Sequence, residues 1–193
     1  MNEWLQYIDK TKNIPPRPLL VKAMDFVVNR EVALDLGAGA LSDTKYLIES
    51  GFKKIVALDQ EDLAKDIYYT LPKDIVEYVI STFEDYKYPI NTFDIVNAQY
   101  ALPFNPAETF PAVIRKIKDS LKPKGIFVAQ LFGVKDEWND GVRKITFHNR
   151  SEIEEFFKDM KILEFNEEEK DQKPVIGDMK HWHIFHIIAQ KVK

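Results

Sequence analysis

The sequence predicts an α/β fold: a doubly wound, mostly parallel sheet that closes on an antiparallel hairpin. Short apolar runs ending in polar residues recur along the chain, and amphipathic stretches of helical period separate them. The last two β-like runs have only a loop between them, so they must pair antiparallel.

The elements follow in order. "NIPPRPLLVKAMDFVVNR" opens with prolines that stop any earlier helix, and Pro18 suits a first helical position. Leu20, Ala23, Met24, Val27 and Val28 then recur at helical spacing. "EVALDL" reads as a buried parallel strand running into Gly37. Ser42 is the expected cap of a helix from about Asp43 to Ser50, ended by Gly51. "KKIVALDQ" is the second strand, tipped by Asp59 and Gln60. A helix is expected near residues 61–70, stopped by Leu71 and Pro72, and "DIVEYVI" is the third strand. "TFDIVNAQ" is the fourth, with its polar residues at the C-terminal end. "NPAETFPAVIRKIKDSL" has a capping-box pattern of Asn105 with Pro106 and Glu108, and an apolar stripe of Phe110, Val113, Ile114, Ile117 and Leu121. "PKGIFVAQLFG" is the fifth strand. "RSEIEEFFKDM" repeats the capping pattern with Ser151 and Glu154, over Ile153, Phe156, Phe157 and Met160. "KILEFNEEEKD" and "HWHIFHIIAQKV" bring the sheet to seven strands.

Composition limits the function classes. A chain of 193 residues, 45% apolar and 12% aromatic, fills one continuous core, so residues 1–193 are expected to form a single domain. A formal charge of −4 with no long basic block makes nucleic acid an unexpected partner. Absence of cysteine excludes disulfides, thiolate metal sites and a cysteine nucleophile. No apolar stretch reaches membrane-spanning length and the N-terminus has no signal-peptide core, so a cytoplasmic protein with no membrane partner is expected.

Ligands of an open α/β sheet bind beyond the carboxyl ends of its strands. That rule collects Gly37 and Gly39, Asp59 and Gln60, Thr82 to Asp85, Asn97 to Tyr100, and Leu131 to Gly133. Gly37-Ala38-Gly39 after a buried strand reads as a loop admitting a ligand to the backbone, against the plainer reading of turn glycines. Asp59, about twenty residues on, suits ribose hydroxyls, against a helix-capping role. Asp35 lies in the apolar run and must find hydrogen-bond partners, whether loop amides or a ligand ammonium. His181 and His183 share one strand face and His186 takes the other, so three ligands cannot converge and no metal site is expected. The antiparallel return brings His181 and Trp182 near the mouth, with His186 deeper or farther away. Residues 134–149 form a long loop at the ligand end; with Trp4, Tyr7 and Arg17 they make a candidate lid, or a simple cover for the sheet edge.

"LDLGAGALSDTKYL", "VALDQ", "STFEDY", "FDIVNAQYALPF" and "LKPKGIFVAQLFG" resemble, in order and spacing, the successive motifs of class I S-adenosylmethionine-dependent methyltransferases. The terminal hairpin is also a mark of that Rossmann-like fold. "NAQYALPF" and the short chain are most similar to small tellurite-resistance-type methyltransferases. The resemblance implies a cap segment over residues 1–30, a cofactor-binding core over 31–193, and S-adenosyl-L-methionine as cofactor. It implies that Asp35, Gly37, Ala38, Gly39 and Asn97 line the methionine part, Asp59 the ribose, and Gln60 the adenosine. Thr82 stands where the family often has an acid for the adenine amino group, with Phe83 or Glu84 beside it. Leu41 stands where a third glycine is frequent. The resemblance also implies that Tyr100 lies close to the transferring methyl; where the acceptor needs a base, Tyr100, His148 and His181 are the candidates.

The resulting expectation is methyl transfer to a small-molecule acceptor by in-line displacement, from a monomer or homodimer. A nicotinamide oxidoreductase fits less well, because the loop lacks GxGxxG and too little chain remains for a substrate domain. A methyltransferase acting on RNA, DNA or protein remains an alternative, although "NAQY" lacks the Pro-Pro pair of nucleic-acid amino-methylating enzymes. A non-catalytic module that binds the cofactor is another.

Overall fold

The computed structural model describes residues 3–192, so residues 1, 2 and 193 of the expected domain lie outside the described residues. Its elements are α1 (Glu3–Thr11), α2 (Pro18–Ala23) running into a 3₁₀ turn (Met24–Phe26), β1 (Val32–Leu36), α3 (Ser42–Glu49), β2 (Lys54–Asp59), α4 (Lys65–Tyr68), β3 (Val76–Ile80) and β4 (Phe93–Gln99). A second 3₁₀ turn (Leu102–Phe104) leads to α5 (Phe110–Ser120), β5 (Leu121–Gly133), β6 (Phe147–His148), α6 (Arg150–Phe157), β7 (Met160–Gln172) and β8 (Lys180–Lys191).

Seven strands run in the order β3-β2-β1-β4-β5-β8-β7, and the two-residue β6 adds in parallel beside the end of β5. The strands from β3 to β5 pair in parallel, whereas β8 runs antiparallel to both β5 and β7. This is the expected mostly parallel sheet with a C-terminal hairpin; the stub β6 inside the long 134–149 loop is the addition. No helix among the described residues is long and apolar enough to cross a membrane.

Alternation along the strands divides the core. One sheet face, with Leu34, Val96, Ala98, Phe127, Ala129 and Leu131, packs on Phe110, Val113, Ile114 and Ile117 of α5 and on Ile153 and Phe157 of α6. The other, with Ala33, Ile95, Val128 and Ile188, packs on Leu19, Leu20 and Ala23 of α2 and on Leu47 of α3. Order β1-β4 at the centre is a reversal of winding, and it places the ligand crevice between the ends of β1 and β4.

Several local expectations are corrected. The Asn105–Glu108 capping box does not form: α5 starts at Phe110, because Pro111 would meet the carbonyl of residue 107 in any helix begun earlier. Asn105 instead donates its amide to the Pro106 carbonyl and to Thr109 Oγ1, both at 3.0 Å. The α6 capping box is made two residues upstream, by Asn149 and Glu152, with the Asn149 side chain accepting from the Glu152 amide at 3.0 Å. Ser42 opens α3 without capping it and donates to the Thr11 carbonyl at 2.9 Å. The helix expected near 61–70 shrinks to the single turn of α4.

Leu41, at the third-glycine position, keeps a left-handed backbone with φ 61° while its side chain is fully buried. Left-handed strain on a non-glycine residue costs about 1–2 kcal/mol, whereas emptying a buried leucine site costs about 2–5 kcal/mol. Leu41→Gly is therefore expected to lower unfolding free energy by about 1–3 kcal/mol in urea titrations, despite restoring the residue that backbone prefers.

Candidate active site

The crevice is organised by a buried carboxylate. Asp35 lies opposite Asn97 in the β1–β4 ladder, so both side chains leave the same sheet face. Asp35 accepts from Thr44 Oγ1 at 2.6 Å and from Asn97 Nδ2 at 2.8 Å. Asn97 Nδ2 also reaches Asp43 at 3.1 Å. Asp43, at the start of α3, accepts the Arg17 backbone amide at 2.9 Å and its guanidinium at 2.8 Å. Arg17 continues to the Tyr7 hydroxyl at 3.0 Å and lies 5.8 Å from the Tyr100 ring centroid. One network thus joins β1, β4, α3 and the N-terminal segment.

Its charges are held unevenly. Burial, reinforced by the Asp43 carboxylate, pushes Asp35 up to about 6 despite the opposing hydrogen bonds from Thr44 and Asn97. Burial works against the Arg17 charge, yet the Tyr7 hydroxyl and the Asp43 and Asp35 carboxylates hold it above its usual range. Burial raises Tyr100 too, with Arg17 opposing.

Gly37 and Gly39 both take left-handed conformations, with φ of 68° and 49°. A side chain at Gly37 is doubly excluded, since its Cβ would fall 2.3 Å from Ala101 Cβ. The Gly37 and Ala38 amides donate to the Leu58 carbonyl at 2.8 and 3.0 Å, and the Gly39 amide donates to Asp59 at 2.9 Å. Burial raises Asp59, opposed by backbone amides of Gly39, Glu61 and Gln60. The loop and the β2 tip are therefore one unit, with Gln60 exposed beside it.

Phe83 reaches that unit: its ring tip is 3.6 Å from the position a Gly37 Cβ would take. Thr82 is exposed and engaged in a local turn, donating to Asp85 at 2.9 Å and accepting the Asp85 amide at 3.2 Å. Glu84 accepts from Thr109 Oγ1 at 3.0 Å and so faces α5 rather than the loop.

Tyr100 takes a left-handed φ of 54° and turns its ring toward Trp182 at 6.1 Å and Phe132 at 6.2 Å between centroids. Trp138 packs further out on Trp182 at 5.3 Å in a tilted arrangement, and the N-terminal Trp4 meets Phe104 at 5.4 Å, itself 6.3 Å from Phe132. The N-terminal segment and the 134–149 loop therefore meet in one aromatic layer beside Tyr100. The loop is pinned by Asp136, which ion-pairs with buried Lys180 and accepts the Trp138 and His183 amides at 3.0 and 3.2 Å. Lys180 Nζ lies 3.7 and 3.8 Å from the ring centroids of Trp182 and Trp138.

The other two candidate bases are not brought to Tyr100. His148 faces the opposite layer, wedged between Phe110 at 4.5 Å and Phe156 at 5.0 Å, and burial lowers its pKa. His181 lies on the outer hairpin, where Asp171 at 2.8 Å and Glu169 at 3.5 Å raise it. Glu167, Glu169 and His183 are close enough together to consider as metal ligands. Their bonds are already committed: His183 Nδ1 accepts the Lys135 amide and its Nε2 donates to Glu167, which also pairs with Arg150, while Lys135 takes Glu169.

Gln99, Gln130 and His186 come together as a group only in the folded sheet. Gln99 and Gln130 are register partners on β4 and β5, and Gln130 faces His186 on β8. The signal was present as polar residues at the same parity as Asn97 in otherwise apolar strand ends.

Asp35 sets a pH dependence. Its native pKa of about 6 exceeds the unfolded value near 3.9, so the native state binds more proton between about pH 4 and pH 6. This group's contribution to stability falls as pH rises through that window. Asp35→Asn is expected to flatten that part of the stability–pH curve, measured by urea unfolding at successive pH values.

Residues 34–129 match the family model described as a methyltransferase domain. No curated protein matches the sequence. Among solved structures, TehB from Haemophilus influenzae superposes with a TM-score of 0.76 at 16% identity, over 95% of this chain and 65% of that one. The chain thus spans about two thirds of the length of TehB. A Burkholderia thailandensis 1,6-didemethyltoxoflavin-N1-methyltransferase, with its substrate and S-adenosylhomocysteine bound, gives 0.70 at 17% identity, covering 97% of this chain and 81% of that one. A putative methyltransferase in complex with the Haloferax volcanii Trm112 activator gives 0.75 at 16% identity, covering 100% and 96%. Residues 34–129 thus form a methyltransferase domain, and the glycine loop, the strand-tip acid and the terminal hairpin complete the fold it shares with these methyltransferases.

Proposed function

We propose that the protein methylates a small-molecule acceptor by in-line displacement, with S-adenosyl-L-methionine as donor. The observation that carries the small-molecule reading is the burial of the β4 end. Asn97 and Gln99 are 1% and 3% exposed, beneath a segment that Arg17 ties to Asp43. A polymer strand would have to displace that anchored segment, whereas a small molecule need only be enclosed by it. The Burkholderia enzyme, with its small heterocyclic substrate, supports this reading; the Trm112-bound neighbour is the contrary case, and its activator marks a difference that can be tested.

The donor set fits the cofactor. Asp59 keeps lone pairs for vicinal hydroxyls beyond those used by Gly39 and Glu61. Phe83 offers an apolar face to the adenine, Gln60 a polar edge beside it, and Thr82 and its turn border that end. Asp35, Asp43 and Arg17 carry charges complementary to an amino-acid group, alongside the Gly37, Ala38 and Gly39 backbone and Asn97. The bound cofactor supplies a methyl already activated on a sulfonium sulfur, so alignment and exclusion of water are the chief tasks of the protein. Arg17 and Tyr7 close one side of the acceptor space, and Tyr100 with Trp182 and Phe132 forms an apolar wall on another. Tyr100 remains the candidate for contact with the acceptor, as a neutral phenol rather than a base.

Isothermal calorimetry tests this assignment. S-adenosylhomocysteine is expected to bind and NAD not to, and Asp59→Ala is expected to weaken S-adenosylhomocysteine about 10- to 100-fold without loss of fold. Binding of NAD in its place would overturn the cofactor assignment, and unchanged affinity in Asp59→Ala would remove the ribose role.

A further inference from the structure

Two buried amide oxygens in the acceptor space meet no protein donor: Gln99 Oε1 and Gln130 Oε1. The residues are only 3% and 6% exposed, and they stand side by side as register partners on one face of β4 and β5. Buried polar atoms in native proteins have partners, so a pair of free acceptors on one face asks for a ligand that donates.

The orientation of each amide is dictated from its outer side. Asn97 must point its Nδ2 at the Asp35 and Asp43 carboxylates, because these only accept. Its Oδ1 then accepts Gln99 Nε2 at 2.8 Å, which leaves Gln99 Oε1 free. On the other side, Glu168 at 3.2 Å requires a proton on His186 Nε2, and burial lowers the pKa of this histidine toward the neutral form. His186 Nδ1 therefore accepts, Gln130 Nε2 donates to it at 2.8 Å and also to the Tyr100 hydroxyl, and Gln130 Oε1 is left free. Carboxylates at the two ends of a polar row crossing β1, β4, β5, β8 and β7 thus fix both central amides with oxygen as the unused atom.

We propose that this pair recognises a neutral primary amino group on a flat aromatic ring, and that the methyl acceptor is an arylamine nitrogen. Two acceptors can take both N–H hydrogens of such a group, which directs the remaining lone pair away from them. Tyr100, Phe132 and Trp182 supply the apolar wall for the ring. Arylamines are unprotonated at neutral pH, so no base is required before attack. The nitrogen lone pair forms the new C–N bond as the methyl C–S bond breaks, and that bond pair returns to sulfur as a neutral thioether. The product departs as an N-methylarylammonium ion and gives its extra proton to solvent. Iodide, thiolates and oxyanions offer these oxygens only lone pairs and are disfavoured.

The inference rests on the methyltransferase reading, so calorimetry with S-adenosylhomocysteine comes first; failure there falls on that reading alone. The S-adenosylhomocysteine-loaded protein is then titrated with aniline, 4-methylaniline and N,N-dimethylaniline. In parallel, the protein with CD3-labelled S-adenosylmethionine is given an equimolar mixture of both primary amines, phenol, thiophenol, iodide and selenite. The primary amines are expected to bind at least about 10-fold more tightly than N,N-dimethylaniline and to carry the label above a protein-free control. Gln99→Met and Gln130→Met are each expected to lower amine affinity and labelling about 10- to 100-fold while S-adenosylhomocysteine affinity stays within about twofold. Equal binding of N,N-dimethylaniline, label on neither amine, preferential label on thiol, halide or selenite, or variants that label amines normally would overturn the proposal.

Discussion

The fold turns on the hydrogen bonds that satisfy Asp35. A carboxylate in the central strand is costly to bury, and it is tolerated because Thr44 from α3 and Asn97 from β4 both donate to it. The same Asn97 amide reaches Asp43, whose other contacts hold Arg17 and so the N-terminal segment. The N-terminal segment, the consecutive β1 and α3, and the distant β4 are therefore positioned by one buried cluster. Breaking it leaves charges uncompensated in the interior, which is why the crevice cannot loosen one wall at a time.

Periodicity made the sheet legible. The five parallel strands, their order of appearance and the terminal hairpin all follow from apolar runs, helical stripes and one missing crossover. Gly37, Gly39 and Asp59 were also readable, because turn geometry and a strand-tip acid leave local signatures; the Gly39–Asp59 bond unites them. Caps were less legible. Both Asn149 and Ser151 have a glutamate three residues on, and the extended backbone at Asn149 decides in favour of the earlier box. At Asn105 the pattern was complete, but the constraint imposed by Pro111 overrode it.

The acceptor space was least legible because it depends on contacts between strands far apart in sequence. Gln99 and Gln130 read singly as polar residues in buried strands, and only the β4–β5 register makes them neighbours. His148 and His181 failed for the converse reason. Each belongs to a plausible loop or strand end, but one turns into the α5–α6 layer and the other onto the outer hairpin. Residue type nominated them, and side-chain direction removed them.

The division of the sheet into two faces explains how a polar row survives in a buried sheet. Val96 and Ala98 on β4 and Phe127, Ala129 and Leu131 on β5 bury against α5 and α6, so the positions between them must turn the other way. A one-residue slip would drive Asn97, Gln99 and Gln130 into that apolar layer and strand their amides there. The apolar face thus enforces the register of the polar one. Amide orientation then needs no further packing, because Asp35 and Asp43 at one end and Glu168 at the other accept hydrogen bonds and cannot donate them. Hydrophobic packing sets where the amides stand, and the terminal carboxylates set which atom each presents.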